Sequence, residues 1–162
     1  DTYWSRYPGL WYHGDWVQRD SDSTWFIMGR SDDTLNIAGK RIGPPEIEGA
    51  MTATGKVIDA AAIAAPDDLK GVAVVCVCVL APGVTADEAL IKTLKDRVGS
   101  EVSKPFRPRE IYFVEGLPKT RTLKTMRRVV RAAFLGEDMG DLSPVSNPET
   151  IAPIAALRKD TL

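Results

Sequence analysis

One run of residues constrains the fold more than any other, the sequence "GVAVVCVCVL" at positions 71–80. It is apolar almost without interruption, which is typical of a strand covered on both faces. Because side chains alternate along a strand, Cys76 and Cys78 would share one face as small buried groups rather than form a disulfide. The sequence therefore predicts a central strand with other elements packed around it.

Two further strands and a helix are predicted beside this run. The segment "VIDAAAIAAP" comes before it, and "PREIYFVEGLP" follows later in the chain. Pro44 and Pro45 stand where a helix would begin, since proline lacks the N–H that a first turn leaves unpaired and the acidic residues after them favour the helix dipole. Ile47, Ala50 and Met51 would form the buried stripe of this helix.

Two more helices are predicted from amphipathic patterns. In "TADEALIKTLKDRVGSEV", Thr85 and Glu88 have the spacing of a capping box. The apolar face of this helix would consist of Ile91, Leu94, Val98 and Val102. In "KTMRRVVRAAFLG", a last helix would end at Gly136. Its inward residues would be Met126, Val130 and either Ala133 or Phe134, and its outward residues Arg127, Arg128 and Arg131.

The first 31 residues are rich in aromatic side chains and predict a β-hairpin, with strands in "GLWYHGDWV" and "TWFIMGR". A two-stranded hairpin is marginal in water by itself. We therefore expect it to pack on a body outside this sequence, and the chain to be part of a longer protein. Because the strands are few and their connections short, we predict an α+β fold with a small mixed sheet and packed helices, rather than a doubly wound sheet.

Charge and composition exclude several function classes. Lys and Arg total 21 against 22 Asp and Glu, a formal net charge of -1, so no general attraction to nucleic acid or to an anionic membrane is expected. The longest apolar run is far shorter than a membrane span. With one histidine, His13, and two cysteines, a zinc site is not expected. A reduced, cytoplasmic protein without nucleic-acid or membrane partners fits this composition best.

A basic loop is the first motif that could carry chemistry. In "GLPKTRTLKTMRR", Lys119, Arg121 and Lys124 lie in a turn-like segment after a strand, where they could bind an anion. A solvated basic surface is an equal alternative. Nucleic acid is a weaker one, because no aromatic residues interleave the cluster.

Two other motifs are each weak evidence for a nucleotide site when considered alone. Asp15 follows Gly14 at a strand edge, and its carboxylate could accept two hydrogen bonds from a ribose diol, although an ordinary turn aspartate is the more frequent case. The segment "GRSDDTLNIAGKRIG" lacks the spacing and the hydroxyl of a P-loop. Alone, it is a loop rich in turn residues.

Taken together, "GLWYHGD", "GRSDDTLNIAGKRIGPPEIEGAM" and "LPKTRTLKTMRR" stand in the order and spacing of the carboxy-terminal part of the acyl-adenylate-forming, AMP-dependent acyl-CoA synthetases. Among these the chain most closely resembles the acetyl-CoA synthetases and their short-chain relatives, and the resemblance includes the "GDLSPVSNPE" tail. It implies a ligase that activates a short, acetate-like carboxylic acid with ATP and Mg²⁺ to acyl-AMP and then transfers the acyl group to CoA. This chain alone is expected to be inactive.

The same resemblance implies a division into domains. Residues 1–31 would end a large N-terminal domain, residues 32–140 would form a mobile C-terminal domain, and residues 141–162 would be a C-terminal tail. Asp32 matches the hinge residue about which the small domain rotates over its own N-terminal domain.

Five residues acquire roles from the resemblance. Asp15 matches the aspartate that binds the ATP ribose hydroxyls, and Arg30 matches an arginine that contacts the nucleotide. Gly39 would let the pantetheine arm of CoA pass close to the backbone, and Arg41 matches an arginine near the phosphates. Lys124 matches the catalytic lysine of adenylation. Related enzymes are controlled by acylation of this lysine, which implies a lysine acyltransferase and a deacylase as partners.

The chain departs from the family pattern in two places. Thr122 and Leu123 precede Lys124 where the family usually has Ser-Gly, so a loop shape that glycine makes easy must be reached with leucine. Gly99 lies in a helix region where related enzymes often carry an arginine that meets the CoA nucleotide. In another function class, the alternative is a stand-alone nucleotide-, CoA- or RNA-binding module without catalysis.

Overall fold

The computed structural model of the chain describes residues 4, 7–31, 33–37, 39–68 and 71–157. The strands in these ranges are β1 Asp15–Arg19, β2 Trp25–Arg30, β3 Leu35–Ile37, β4 Lys40–Ile42, β5 Val57–Asp67, β6 Gly71–Leu80 and β7 Glu110–Phe113. The helices are α1 Pro44–Thr52, α2 Glu88–Glu101, α3 Arg127–Leu135 and α4 Ile151–Ala156, with short 3-10 turns at Lys104–Phe106 and Pro148–Thr150. None of the helices in the described ranges has the length and apolar content to cross a membrane.

A three-stranded mixed sheet in the order β5-β6-β7 forms the centre of the fold. β6 lies in the middle, antiparallel to β5 and parallel to β7. A parallel pair requires a crossover connection, and α2 lies in that connection. The predictions of a central strand and of a small α+β fold with a mixed sheet are confirmed.

Helices cover both faces of this sheet. Along β6, Val74, Cys76 and Cys78 point to one face, on which α1, α2 and the β3–β4 hairpin pack. Val75 and Val77 point to the other face, which α3 and α4 cover. Each of these five side chains is at most 1% exposed. The apolar run is nearly continuous because it serves two hydrophobic cores, one on each side of the strand.

The first helix begins where the two prolines predict. α1 starts at Pro44, and its stripe of Ile47, Ala50 and Met51 is buried against the sheet. Because α1 packs on β5, it lies beside the edge strand of the sheet. In this position, α1 forms one wall of the site described below.

The predicted capping box at the start of α2 is wrong. The helix begins at Glu88, and its cap is Asp87, whose carboxylate accepts a hydrogen bond from the Leu90 N–H at 2.7 Å. Asp87 stands immediately before the first turn, and its charge favours the positive end of the helix dipole more than a threonine hydroxyl at position 85 does. On the apolar face, Leu90, Leu94 and Val98 are buried, while Ile91 and Val102 are half-buried.

The last predicted helix is found as α3, which ends at Gly136 with a left-handed φ of 68°. Val130, Ala133 and Phe134 are buried and Met126 is half-buried, as predicted. One of the arginines predicted to point outward, Arg127, does not, and it is described with the candidate site.

The predicted aromatic hairpin is formed by β1 and β2, which pair antiparallel. β1 begins at Asp15, later than the sequence indicates, because the preceding segment contains turns and left-handed glycines at Gly9 and Gly14. Trp25, Phe26 and Ile27 remain exposed. The hairpin therefore gains little burial from its aromatic side chains within the described residues.

Candidate functional site

Lys124 lies on a short hairpin between β7 and α3, here called the Lys124 hairpin (residues 117–126). Thr120 closes its turn, because its N–H donates to the Lys124 carbonyl at 2.9 Å and its carbonyl accepts from the Leu123 N–H at 2.9 Å. These bonds enclose a three-residue loop. Loops of this kind commonly end in a residue with left-handed backbone geometry.

Leu123 occupies that left-handed position, with a φ of 62°. Glycine is favoured there, and for a residue with a Cβ the conformation costs roughly 1–2 kcal/mol. The Leu123 side chain is 74% exposed, so its burial does not offset the cost. The expectation that leucine must reach a shape suited to glycine is confirmed, and the strain is adjacent to Lys124.

The Thr120 hydroxyl holds Lys124 from a second direction. Its Oγ1 accepts a hydrogen bond from the Lys124 N–H at 3.2 Å and lies 3.0 Å from the Thr122 hydroxyl. Thr120 therefore binds both backbone polar groups of Lys124. The backbone of Lys124 is fixed, while its side chain is exposed.

Lys119 and Arg127, two basic residues near Lys124, each form an ion pair with an acidic side chain. Lys119 Nζ lies 2.7 Å from Asp59 Oδ2, and the guanidinium of Arg127 binds Glu48. The ion pairs formed among the described residues do not include Lys124. Its positive charge is therefore available to an anion from outside this part of the chain.

The Lys124 side chain lines a cleft of about 590 Å³, here called the Lys124 cleft. Arg30, at the end of β2, lines the same cleft. The other residues of its wall are Asp33, Pro45, Glu48, Gly49, Thr52, Asp59, Ala60, Thr125 and Arg127. The structure thus brings together two of the predicted site residues, although 94 positions of the chain separate them (124 − 30).

The prediction that Arg127 points outward is wrong. Its guanidinium donates to both carboxylate oxygens of Glu48, with Nε···Oε1 at 2.6 Å and Nη2···Oε2 at 2.5 Å. Glu48 is 9% exposed, and its Oε1 also accepts from the Ala62 N–H of β5 at 3.0 Å. Arg127 Nη1 lies 3.7 Å from Asp33 Oδ2. One arginine beside Lys124 therefore connects α3 with α1 and with the segment after β2.

A signal for this pair is present in the sequence. Glu48 follows Ile47 and precedes Met51 by one helical turn, so it lies on the apolar stripe of α1. A carboxylate on such a stripe requires a partner, because an unpaired buried charge is very costly. The pKa of the Arg127 guanidinium is raised, chiefly by its hydrogen bonds to Glu48, so the pair remains charged.

Asp15 and Arg30 are cross-strand partners in the β1–β2 hairpin. The Asp15 carboxylate contacts Nδ1 of His13, a residue to which the sequence assigns no role, and lies 3.8 Å from Arg30 Nη1. Arg30 Nη1 also donates to the His13 carbonyl at 3.0 Å. Gly14 has a φ of 83°, and a Cβ there would lie 3.3 Å from Arg30 Nη2. Glycine at this position therefore permits the arginine to approach.

Gly39 and Arg41 are not among the residues that line the Lys124 cleft. Gly39 has a φ of 77°, and among the described residues beyond its chain neighbours no atom lies within 4 Å of the point that a Cβ would occupy, so the space above it is open. The Arg41 guanidinium carbon lies 5.2 Å from the ring centroid of Trp16, a cation–π contact. Arg41 also lines a separate cavity of about 190 Å³.

Of two other residues singled out in the sequence, Asp32 and Gly99, the structure describes only Gly99. Asp32, the predicted hinge, lies outside the described residues. Gly99 lies within α2, and Arg107 Cδ is 3.5 Å from the point that a Cβ at position 99 would occupy. Arg107 Nη2 binds Asp96 Oδ1 at 2.9 Å. The side chain of Arg107 therefore covers the space above Gly99.

The cysteines belong to the core rather than to a site. Both are free thiols. Burial raises the pKa of the Cys78 thiol to about 12 and that of the Cys76 thiol well above its usual range. Across the described ranges, no group of three or more His, Cys, Asp or Glu side chains could hold a metal ion.

Comparisons with known proteins identify the family of this chain. The family profile of the AMP-binding enzyme C-terminal domain matches residues 46–124, a range that includes most of α1, the whole central sheet and Lys124. Acetyl-coenzyme A synthetase of Methanothrix thermoacetophila is 41% identical over 152 residues, which cover 94% of this chain and 23% of that protein. Acetyl-coenzyme A synthetase of Vibrio cholerae serotype O1 is 37% identical over 157 residues, covering 96% and 24%.

A solved structure agrees with these sequence relatives. Acetoacetyl-CoA synthetase from Streptomyces lividans superposes with a TM-score of 0.83 at 27% identity, covering 99% of this chain and 24% of that one. The chain spans about a quarter of the length of the relatives that it matches. It therefore belongs to the AMP-binding enzyme C-terminal domain family.

Proposed function

We propose that this chain is the C-terminal part of an AMP-forming acid–CoA ligase. The whole enzyme would join a short, acetate-like carboxylic acid to AMP, using ATP, and then transfer the acyl group to CoA. The observation that carries the proposal is the state of Lys124, whose backbone is held on both sides by Thr120 while its exposed side chain lines a cleft. A lysine held in this way is suited to meet an anionic substrate rather than to support the fold.

Adenylation brings two anions together, because the substrate carboxylate must approach the α-phosphorus of ATP before pyrophosphate leaves. A cation between them offsets their repulsion and orients the attack. We assign this role to the Lys124 ammonium. No ion pair within the described part of the chain would have to break before Lys124 reached the substrate.

Asp15 and Arg30 are suited to hold the nucleotide. The Asp15 carboxylate is 16% exposed and kept in place by His13 and Arg30, so it could accept hydrogen bonds from the ribose hydroxyls. Arg30 also lines the Lys124 cleft. It would therefore connect the ribose end of the nucleotide with the cleft in which the phosphates and the lysine meet.

The second step needs a different arrangement of the same parts. We propose that the small domain rotates about Asp32, which withdraws Lys124 and presents the β3–β4 hairpin to the active site. The open space above Gly39 would admit the pantetheine arm of CoA, and Arg41 would lie near the phosphates. The CoA thiol would then attack the acyl-AMP carbonyl and displace AMP.

The described residues do not fit a magnesium site of their own, since they contain no cluster of three or more metal-ligating side chains. We therefore assign no metal ligand to this chain. Mg²⁺ would be carried by the phosphates of ATP.

Regulation and location follow from the same proposal. The exposed Lys124 would be accessible to a lysine acyltransferase, and acylation would remove the charge that adenylation needs until a deacylase restored it. We propose a cytoplasmic location, which the two free thiols support because structural disulfides are rare there.

The test is the variant Lys124→Ala in the full-length enzyme that carries this chain. We expect acid-dependent ATP–pyrophosphate exchange to fall by about 100-fold or more, because one charge-stabilising group of the transition state is lost. Thioester formation from supplied acyl-AMP should remain, since Lys124 takes no part in that step.

Arg121→Ala is the matched control, because Arg121 is an exposed cation in the same loop. It should leave both half-reactions close to their normal rates. An equal loss of the two half-reactions in Lys124→Ala would refute the role assigned to this lysine.

A further inference from the structure

The chain after α3 returns to the Lys124 hairpin and pairs with it. Val145 bridges to Thr120, and the Ser146 N–H donates to the Lys119 carbonyl at 2.8 Å. Residues 145–147 are here called the tail strand. The first arm of the hairpin, residues 117–120, therefore lies between the tail strand on one side and the arm that carries Lys124 on the other.

Asn147 supplies two further bonds to this arm from its side chain. Its Oδ1 accepts from the Lys119 N–H at 2.7 Å, and its Nδ2 donates to the Leu117 carbonyl at 2.8 Å. Asparagine is one of the residues preferred immediately before a helix, where its side-chain oxygen can accept a hydrogen bond from the first turn. Asn147 stands before the turn Pro148–Thr150 but makes no such cap. Both polar atoms of its side chain are instead directed to the strand that leads to Lys124.

Ser146 adds to the same attachment. Its hydroxyl donates to the Lys119 carbonyl at 3.0 Å and lies 3.3 Å from the Thr120 carbonyl. Thr120 is the residue that binds both backbone groups of Lys124. A continuous set of hydrogen bonds thus runs from the tail strand through Thr120 to Lys124.

The tail strand is itself fixed to the body of the protein at both ends. Before it, the Arg128 guanidinium of α3 donates to the carbonyls of Met139 and Asp141. After it, Ile151 and Ile154 of α4 are 8% and 0% exposed in the core that α3 shares with the sheet. The tail strand therefore connects the hairpin to a packed helix pair rather than to a loose terminus.

From this geometry we infer that the tail strand braces the Lys124 hairpin, with Asn147 as a positioning residue for Lys124 in the adenylation step. The inference rests on the function proposed above. A hairpin of two short arms is marginal by itself, and a third strand supplies the stability that two lack. Leu123 increases the need for such a brace, because its left-handed backbone strains the turn.

A brace of this kind acts on one half-reaction and not on the other. Small displacements of a catalytic group can lower a rate by about 100-fold, so loosening the hairpin should slow the step that uses Lys124. Thioester formation from acyl-AMP should be unaffected, since Lys124 is withdrawn from that step. A role in stability alone would lower both activities together or neither.

The experiment uses the full-length enzyme with Asn147→Leu, which keeps the approximate size of the side chain and removes both polar atoms. Ser146→Ala is the second variant, because it removes the hydroxyl bonds with less disturbance of the tail. Ser143→Ala is the control, since the Ser143 hydroxyl binds Asp141 within the tail itself. Lys124→Ala is measured in parallel.

We expect Asn147→Leu to lower kcat for acid-dependent ATP–pyrophosphate exchange by roughly 10- to 100-fold, and Ser146→Ala by less, with the KM for ATP little changed. Thioester formation from supplied acyl-AMP and the Ser143→Ala control should stay at wild-type rates. If Lys124→Ala abolishes exchange while both tail-strand variants exchange normally, the brace is refuted and the proposed function stands. Equal losses in both half-reactions would also refute it. If Lys124→Ala itself exchanges normally, the proposed function fails.

Discussion

The buried ion pair between Arg127 and Glu48 gives a sharp test of how this domain is held together. Arg127→Met removes the guanidinium but keeps a long apolar stem. Glu48 is 9% exposed and accepts three hydrogen bonds, two from Arg127 and one from the Ala62 N–H. After the substitution, one of these three bonds remains, and the carboxylate has lost its partner cation.

The size of the effect can be worked from this geometry. Removing one partner of a buried ion pair typically costs about 3–5 kcal/mol in the free energy of unfolding. The side chain of Arg127 is 23% exposed and that of Glu48 11%, so some water reaches the pair and the lower end, about 3 kcal/mol, is expected. For a chain of this length, that corresponds to a fall in Tm of roughly 6–12 °C.

The assay is urea denaturation of this chain followed by circular dichroism, with Arg131→Met as the matched control. Arg131 lies one helical turn after Arg127 and pairs with Glu137, but both side chains are 45% exposed. A solvated pair of this kind is worth about 0–1 kcal/mol. Replacing both partners, in Glu48→Met with Arg127→Met, should recover part of the stability, because no unpaired charge is then left buried while the Ala62 N–H loses its acceptor. The reasoning is refuted if Arg127→Met costs no more than Arg131→Met.

Two further predictions concern the hairpin and the core. Leu123→Gly should raise the free energy of unfolding by up to about 1 kcal/mol, since relief of roughly 1–2 kcal/mol of backbone strain exceeds the added entropy of glycine in the unfolded chain. Thermal denaturation would measure this, and a destabilised Leu123→Gly beside an unchanged Leu123→Ala would contradict it. The cysteines should make the free energy of unfolding fall as pH rises from about 9 towards 12. In the unfolded chain, thiols with an ordinary pKa of 9.0 ionise over this range, whereas in the folded chain the buried Cys78 thiol, with a pKa of about 12, stays neutral. The urea midpoint of the wild-type chain should therefore fall more steeply between pH 8 and 11 than that of the double variant Cys76→Ala with Cys78→Ala. Equal slopes for the two proteins would count against this prediction.

Several elements could be predicted because their causes are local. The central strand was evident from residues 71–80, since a strand buried on both faces needs apolar side chains at every position. The start of α1 followed from Pro44, and the end of α3 from Gly136, whose backbone is left-handed. In each case, a few neighbouring residues determine the geometry.

Other features could not be predicted because they depend on residues that are distant in the chain. Helical periodicity placed Arg127 on an exposed face, and its partner Glu48 lies 79 positions away on another element. Likewise, Asn147 is separated by 28 positions from Lys119, whose N–H it binds. Local pattern cannot indicate which distant groups meet, because packing of the helices on the sheet determines those distances.

Lys124 illustrates what the sequence indicates and what only the tertiary structure shows. The motif "LPKTRTLKTMRR", through its family resemblance, singled out Lys124 as the residue that we propose for the chemistry, and the mismatch of Leu123 with its loop was already visible there. Only the tertiary structure decided how that lysine is held: by Thr120 across the turn, and by a tail strand that reaches the hairpin from beyond α3. The physical reason is that the chemical nature of a side chain is local, whereas its orientation depends on hydrogen bonds that form after distant segments have packed together.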